Sequence, residues 1–234
     1  MVIMDKLIPY LLIGFFIFVI ALVFVAAYLY ERRIRKLYEN IASQYGWRYE
    51  KGALEIPYST VTKYGRSMKG RGWFAPFVRS RAGPAVLGDY NLCKFAIVRY
   101  AETTGGGKSR HTINYTLIGS AHRGISGFAY ISKEGVLQKL GKALRMQDIE
   151  LRDPLFDPVF RIKGDYVNIG VVLDIAARQK LLNLTSQYGW KNFGVVEINQ
   201  KEVVFTKNKV IKNKDFLLAA IDLVTSIANN VDKY

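Results

Sequence analysis

The residues best suited to chemistry fall in one run: Gln147-Asp148-Ile149-Glu150-Leu151-Arg152-Asp153-Pro154-Leu155-Phe156-Asp157-Pro158-Val159-Phe160. Its four carboxylates have the chemistry to bind Mg2+ or Ca2+, or to act as acid and base. The run lacks the central glycine of an EF-hand loop. Asp beside Pro also caps turns, and two Phe four residues apart would anchor a loop to a core. On that second reading, which we favour, Asp153, Phe156, Asp157 and Phe160 form a structural motif. No catalytic residue, metal ligand or cofactor is assigned.

Other chemical signals are weaker. Gly105-Gly106-Gly107-Lys108-Ser109 resembles the end of a phosphate-binding P-loop, but the position of the first motif glycine holds Glu102. Strand-like sequence lies on both sides, where a P-loop needs a helix after it, so we read a hairpin tip. His111, His122 and Cys93 are too few and too badly spaced for a zinc site unless carboxylates complete it. Gly119-Ser120-Ala121-His122-Arg123-Gly124 is too local to build a hydrolase triad.

A second constellation is basic and aromatic. Lys63, Arg66, Lys69, Arg71, Arg79 and Arg81 alternate with Tyr58, Tyr64, Trp73, Phe74 and Phe77, and no Asp or Glu occurs from Ile56 to Gly88. Such a mixture suits anionic headgroups at a membrane surface. It would also suit single-stranded nucleic acid, which we regard as the less favoured partner. The whole chain carries a formal charge of +15, all of it beyond residue 30 because Asp5 offsets Lys6. The balance reverses from Asp148 to Asp174, with six carboxylates against Arg152, Arg161 and Lys163. This asymmetry is the kind that serves self-association or a partner.

These residues depend on an element near the start. Leu7 to Tyr30 is 24 residues without a charge. As a helix it would reach about 36 Å, enough for the ~30 Å apolar core of a bilayer. It is too long for a signal peptide and has no polar face. Arg32, Arg33, Arg35 and Lys36 follow directly, which places that side in the cytoplasm and the short N-terminus outside. The single Cys93 agrees with a reducing compartment. Two sequons, at Asn114 and Asn183, fall in an expected strand and an expected helix, and we read both as chance.

We divide the chain into an anchor at 1–30, a juxtamembrane amphipathic helix at 31–46, and an α+β domain at 47–234. That domain could hold two lobes, 47–145 and 146–234. Ile34, Leu37, Tyr38, Ile41 and Tyr45 give the second segment one apolar stripe, and Gly46 stops it. A helix running on from the anchor would hold the domain close to the bilayer. Strands are expected at Trp47–Ile56, Lys94–Glu102, Arg110–Ile118, Gly127–Ser132 and, within Pro158–Lys163, around Val159–Lys163. A hairpin is expected at Gly194–Thr206. Helices are expected at Lys133–Leu144, at Ile175–Tyr188 behind an Asp174 cap, and at Asp215–Asn230. Pro57–Gly88 reads as short strands and a long loop. The resulting class is α+β with a largely antiparallel sheet. Ser43-Gln44-Tyr45-Gly46-Trp47-Arg48 recurs as Ser186-Gln187-Tyr188-Gly189-Trp190-Lys191, either by duplication or as common helix-stop grammar.

Leu140-Gly141-Lys142, Gln147 to Glu150 and the D-x-x-F-D-x-x-F run Asp153–Phe160, followed by Leu173 to Leu182, resemble a segment of uncharacterised prokaryotic membrane-anchored proteins. The layout matches over residues 31–230, the motif over about 45 of them. The resemblance implies a bacterial or archaeal source and carries over no activity and no site residue. The function expected is a single-pass membrane protein whose cytoplasmic domain is a binding or scaffold module. It would serve a protein partner or the anionic membrane face. An accessory subunit of a larger membrane complex is the alternative, as is an enzyme using Asp148 to Asp157.

Overall fold

The computed structural model describes residues 2–51, 79–104, 111–133, 147–165, 168–189 and 193–233. The chain forms two units, Met1–Asn40 and Ile41–Tyr234. The first is the greater part of one long helix, α1, which spans Val2–Gln44. It is long and apolar enough to cross a membrane. Its side chains from Leu12 to Tyr30 are exposed, Phe15, Phe16 and Phe24 among them. Water would not tolerate such a surface, whereas a bilayer solvates it. The helix passes position 30 without a break. It stops because Gly46 takes a left-handed φ of +69°. The Trp47 amide then reaches back to the Ala42 carbonyl at 2.7 Å and the Gly46 amide to Ser43. This pairing satisfies carbonyls that the helix end leaves open.

The second unit is built on one antiparallel sheet. Its described strands are β1 (Arg48–Glu50), β2 (Arg79–Tyr90), β3 (Cys93–Thr104), β4 (His111–Ala121), β5 (Ala129–Lys133), β6 (Gln147–Ile149), β7 (Phe160–Gly164), β8 (Val195–Ile198) and β9 (Glu202–Lys207). Their order is β1-β2-β3-β4-β9-β8-β5-β7-β6. The α+β class is therefore correct, and the sheet is shared by both halves of 47–234. The β8–β9 hairpin sits between β4 and β5.

The register lines up one row of apolar residues across the sheet. Val86 faces Ile97, which faces Ile118, then Phe205, Val196, Ile131, Ile162 and Ile149. All but Ile149 are buried, as period-two patterning requires of the covered face. The cover comes from α4 (Lys214–Asp232), preceded by α2 (Ile169–Val172) and α3 (Ile175–Tyr188). Phe205 meets Phe216 of α4 with ring centres 5.9 Å apart. The Asn213 side chain caps α4 by accepting from the Phe216 amide, and Asp174 caps α3 by accepting from Ala177. Both are standard N-caps. The opposite face buries Ala85, Ala96, Val98, Leu117 and Val204.

Two elements differ from the sequence expectation. Arg79 to Gly88 is part of a continuous strand, β2, where we expected a broken stretch. Its pairing to β3 along nearly its whole length outweighs the poor strand preference of Gly and Pro, and a bulge between Ala82 and Ala85 takes up the irregularity. Gln147–Ile149 is a short edge strand on β7. The expected helix at Lys133–Leu144 lies outside the described residues from 134 on.

Candidate functional site

The acidic run is held by its own backbone. The Asp153 carboxylate accepts from the amides of Leu155 at 3.0 Å and Phe156 at 3.1 Å. The Asp157 carboxylate accepts from Asp153 at 3.0 Å and Leu151 at 3.3 Å. Each Asp thus closes a turn over the other. Arg152, at a φ of +57°, lies between Leu151 and Asp153, the two residues whose amides Asp157 binds. Arg178 of α3 binds the second Asp153 oxygen at 2.5 Å. The Leu155 amide, with that of Phe156 and with Arg178, holds the Asp153 carboxyl below its ordinary value; partial burial opposes them.

Phe156 and Phe160 point inward and are buried. Their rings stack at 4.8 Å. From Phe160 the contacts continue to Phe193 at 5.1 Å, Phe205 at 5.7 Å and Phe216 at 5.9 Å. Tyr188 meets Phe216 edge-on at 4.9 Å. The run is therefore tied into the core through α4. Four of its carboxylate oxygens already accept from amides and Arg178, and Asp148 pairs with Lys163 at 3.3 Å. Among the described residues no group of three or more His, Cys, Asp or Glu is placed to hold a metal ion.

The surface around this knot is unusual. Leu155 is 71% exposed, Ile175 78% and Val171 40%. Leu155 and Ile175 stand on the two segments that the Asp153–Arg178 ion pair joins. Gly170, next to Val171, lies over the Leu151 side chain.

Lys63, Arg66, Lys69, Arg71 and Trp73 lie outside the described residues. Arg79 and Arg81 stand in β2, opposite Thr103 and Ala101. His111 is in β4 opposite Thr104. Strands therefore precede and follow Gly105–Arg110, which excludes the strand-loop-helix order of a P-loop. Cys93 is buried, its thiol donating to the Asn229 side chain at 2.9 Å. Burial raises its pKa, so it is a poor nucleophile.

Sequence reasoning missed a second polar cluster. At the β8–β9 turn, the Asn199 amide group lies 3.4 Å from a carboxylate oxygen of Glu197 and 3.4 Å from one of Glu202. All three residues are buried. The Asn199 side-chain oxygen accepts from the amides of Lys201 and Glu202. His122 joins from the end of β4, its Nε2 donating to the Asn199 carbonyl at 3.0 Å. Its Nδ1 is buried with no partner. Burial lowers the His122 pKa, while the Asn199 carbonyl, Asp232 and Glu202 oppose the shift. Glu197, Asn199 and Glu202 come from one hairpin, and strand order adds His122, which no sequence motif announces.

The sequence matches no family model and no curated protein. Among solved structures the chain is similar to the crystal structure of the mycobacterial trehalose monomycolate transport factor A, TtfA. The TM-score is 0.49 and the identity 12%, covering 86% of this chain and 95% of that one.

Proposed function

We propose that this chain is a single-pass membrane protein whose C-terminal domain lies in the cytoplasm and works as a non-enzymatic binding or scaffold module. The observation that carries the reading is α1. It exposes apolar side chains from Leu12 to Tyr30 and continues unbroken through Arg32, Arg33, Arg35 and Lys36. A lipid-facing helix with cations at one end is retained with that end on the cytoplasmic side. Protease added to right-side-out cells should leave the domain intact; digestion of the domain would reverse the orientation.

The module would meet the anionic membrane face through Lys63, Arg66, Lys69, Arg71, Trp73, Arg79 and Arg81. Each basic residue near such a surface contributes about 1 kcal/mol of attraction. Residues 31–234 alone should co-sediment with anionic vesicles and not with neutral ones, and binding should fall as salt rises. Changing Arg66, Lys69 and Arg71 together to Glu should abolish it. Equal sedimentation with both vesicle types would end the lipid role.

A second reading, an accessory subunit of a larger membrane complex, is favoured by the exposed Leu155 and Ile175. Native-mass measurement of the chain extracted in mild detergent should then show a stable heavier species.

A further inference from the structure

We propose that Arg32, Arg33, Arg35 and Lys36 form a collar on α1 that holds phospholipids of net negative headgroup in the leaflet at the C-terminal end of the span. The proposal deepens the reading of a membrane-anchored module and rests on it. It assigns lipid selection to α1 itself, apart from Lys63 to Arg81. The stretch is helical throughout, so sequence spacing fixes which side chains are neighbours. Tyr28, Arg32 and Lys36 follow at intervals of four, as do Val25, Leu29 and Arg33. Arg32, Arg35 and Lys36 fall within about 100° of arc, with Arg33 beside Lys36. All four cations are exposed, as are Val25, Tyr28 and Leu29. Ile34 and Tyr38, on the other side of the helix, are buried. The exposed face therefore changes from apolar to cationic within one turn.

That face matches a phospholipid along its length. Val25 and Leu29 offer surface to an acyl chain, and the exposed rings of Tyr28 and Tyr30 belong at the boundary. From Arg32 to Lys36 the helix rises about 6 Å, the depth of one headgroup layer, which is about 5–7 Å. A guanidinium meets phosphate through two parallel N–H donors, and long basic side chains adjust their height to reach it. Glu31 and Glu39 bracket the collar, yet an excess of two positive charges remains from Glu31 to Glu39. Charge alone would also attract a nucleic acid. The apolar ladder that leads directly into the cations favours an anion that carries acyl chains.

The test uses the full chain in phosphatidylcholine nanodiscs with a trace of spin-labelled lipid, either phosphatidylglycerol or phosphatidylcholine. Labels next to the helix are immobilised. Wild type should immobilise the phosphatidylglycerol label several-fold more than the phosphatidylcholine label. Changing Arg32, Arg33, Arg35 and Lys36 together to Gln, a good helix former, should bring the two to parity. Lys in place of the three arginines should keep most of the preference, and unchanged melting will show that the fold survives. The preference should fall as salt rises, because the collar is exposed. Changing Arg66, Lys69 and Arg71 together to Glu should leave it in place. Equal immobilisation of both labels by wild type, an undiminished preference in the Gln variant, or its loss in the Glu variant would overturn the proposal. So would its loss to soluble glycerol phosphate at matched ionic strength, which assigns the collar to a free phosphate. Collar-dependent capture of a single-stranded oligonucleotide by neutral nanodiscs would overturn it in favour of nucleic acid. Both leaflets of the nanodisc carry the same lipid, so the outcome does not depend on which side of the membrane holds the domain. Protease digestion of the domain in cells would fail that reading alone.

Discussion

Two carboxylate clusters sit in one domain, and they are built in opposite ways. In the Asp153–Asp157 knot every backbone donor lies within six residues of its acceptor. In the Asn199 cluster, His122 stands 77 residues from the carbonyl it binds. The first is a local fold that Asp and Pro impose on the chain, then fasten to α3 with one arginine. The second joins Glu197, Asn199 and Glu202 within one hairpin, and gains His122 only because β4 pairs with β9, which sets Ala121 opposite Glu202. Local satisfaction leaves the surface beside the knot free for other work, and there the exposed Leu155 and Ile175 are found. The long-range cluster is buried and ties three elements together.

The comparison can be broken most forcefully at the floor of the knot. Phe156 is fully buried and begins the aromatic chain that ends at Phe216. Phe156→Ala should cost about 3–5 kcal/mol through lost contact and a residual cavity. Chemical denaturation should show it as a lower midpoint at an unchanged slope. Unaltered stability would mean that the run is not anchored by its rings. A smaller effect is expected at Asp157→Ala. It strips acceptors from the Leu151 and Asp153 amides, and a cost of about 1–3 kcal/mol follows from leaving such donors unpaired. An effect at Asp157 as large as that at Phe156 would mean that the carboxylate, not the rings, holds the segment.

The same contrast explains what could be read from the sequence. The caps at Asp174 and Gly189, the core pattern of α4 and the β8–β9 hairpin all declare themselves within a few residues. The sheet order does not, because nothing in Glu202–Lys207 says that its outer neighbour is β4 rather than a nearer strand. The meeting of His122 with Asn199 was illegible for that reason. The twin Tyr-Gly stops show the limit from the other side. Gly46 and Gly189 both take left-handed φ, +69° and +75°, yet the chain after one joins an edge strand and after the other the middle of the sheet. In the first, Trp47 packs on Phe95 at 4.6 Å and fills the space over Gly88. The hexapeptide encodes where a helix stops and leaves the destination of the chain to longer-range packing.

The finest test of the comparison is pH. Asp153 has a depressed pKa, so its share of stability is present above its ordinary value near 3.8 and is lost as pH falls through the lower folded value. His122 is also depressed, but as a base the consequence appears much earlier. Its Nε2 donates to the Asn199 carbonyl, so the neutral ring carries its bare nitrogen at Nδ1. Nδ1 is buried and unpartnered, so a proton added there is poorly solvated. Burial is the larger influence and lowers the pKa, against the Asn199 backbone, the charge of Asp232, whose carboxylate holds the Arg123 amide at 2.6 Å, and the Glu202 backbone, which all favour the proton. The unfolded chain therefore binds the proton first. The stability that the neutral ring supports is complete above pH 6.5, the unperturbed value, and is lost as pH falls from there through the lower folded value. Melting followed from about pH 7.5 to about 5.5 should thus decline more steeply in wild type than in His122→Gln, which keeps a donor for Asn199 and has nothing to titrate. The Asp153→Asn variant should follow wild type over this range and depart from it only in stronger acid. Parallel curves for wild type and His122→Gln would show that the imidazole is protonated without cost, and that the β4–β9 cluster tolerates charge where the packing around Nδ1 says it should not.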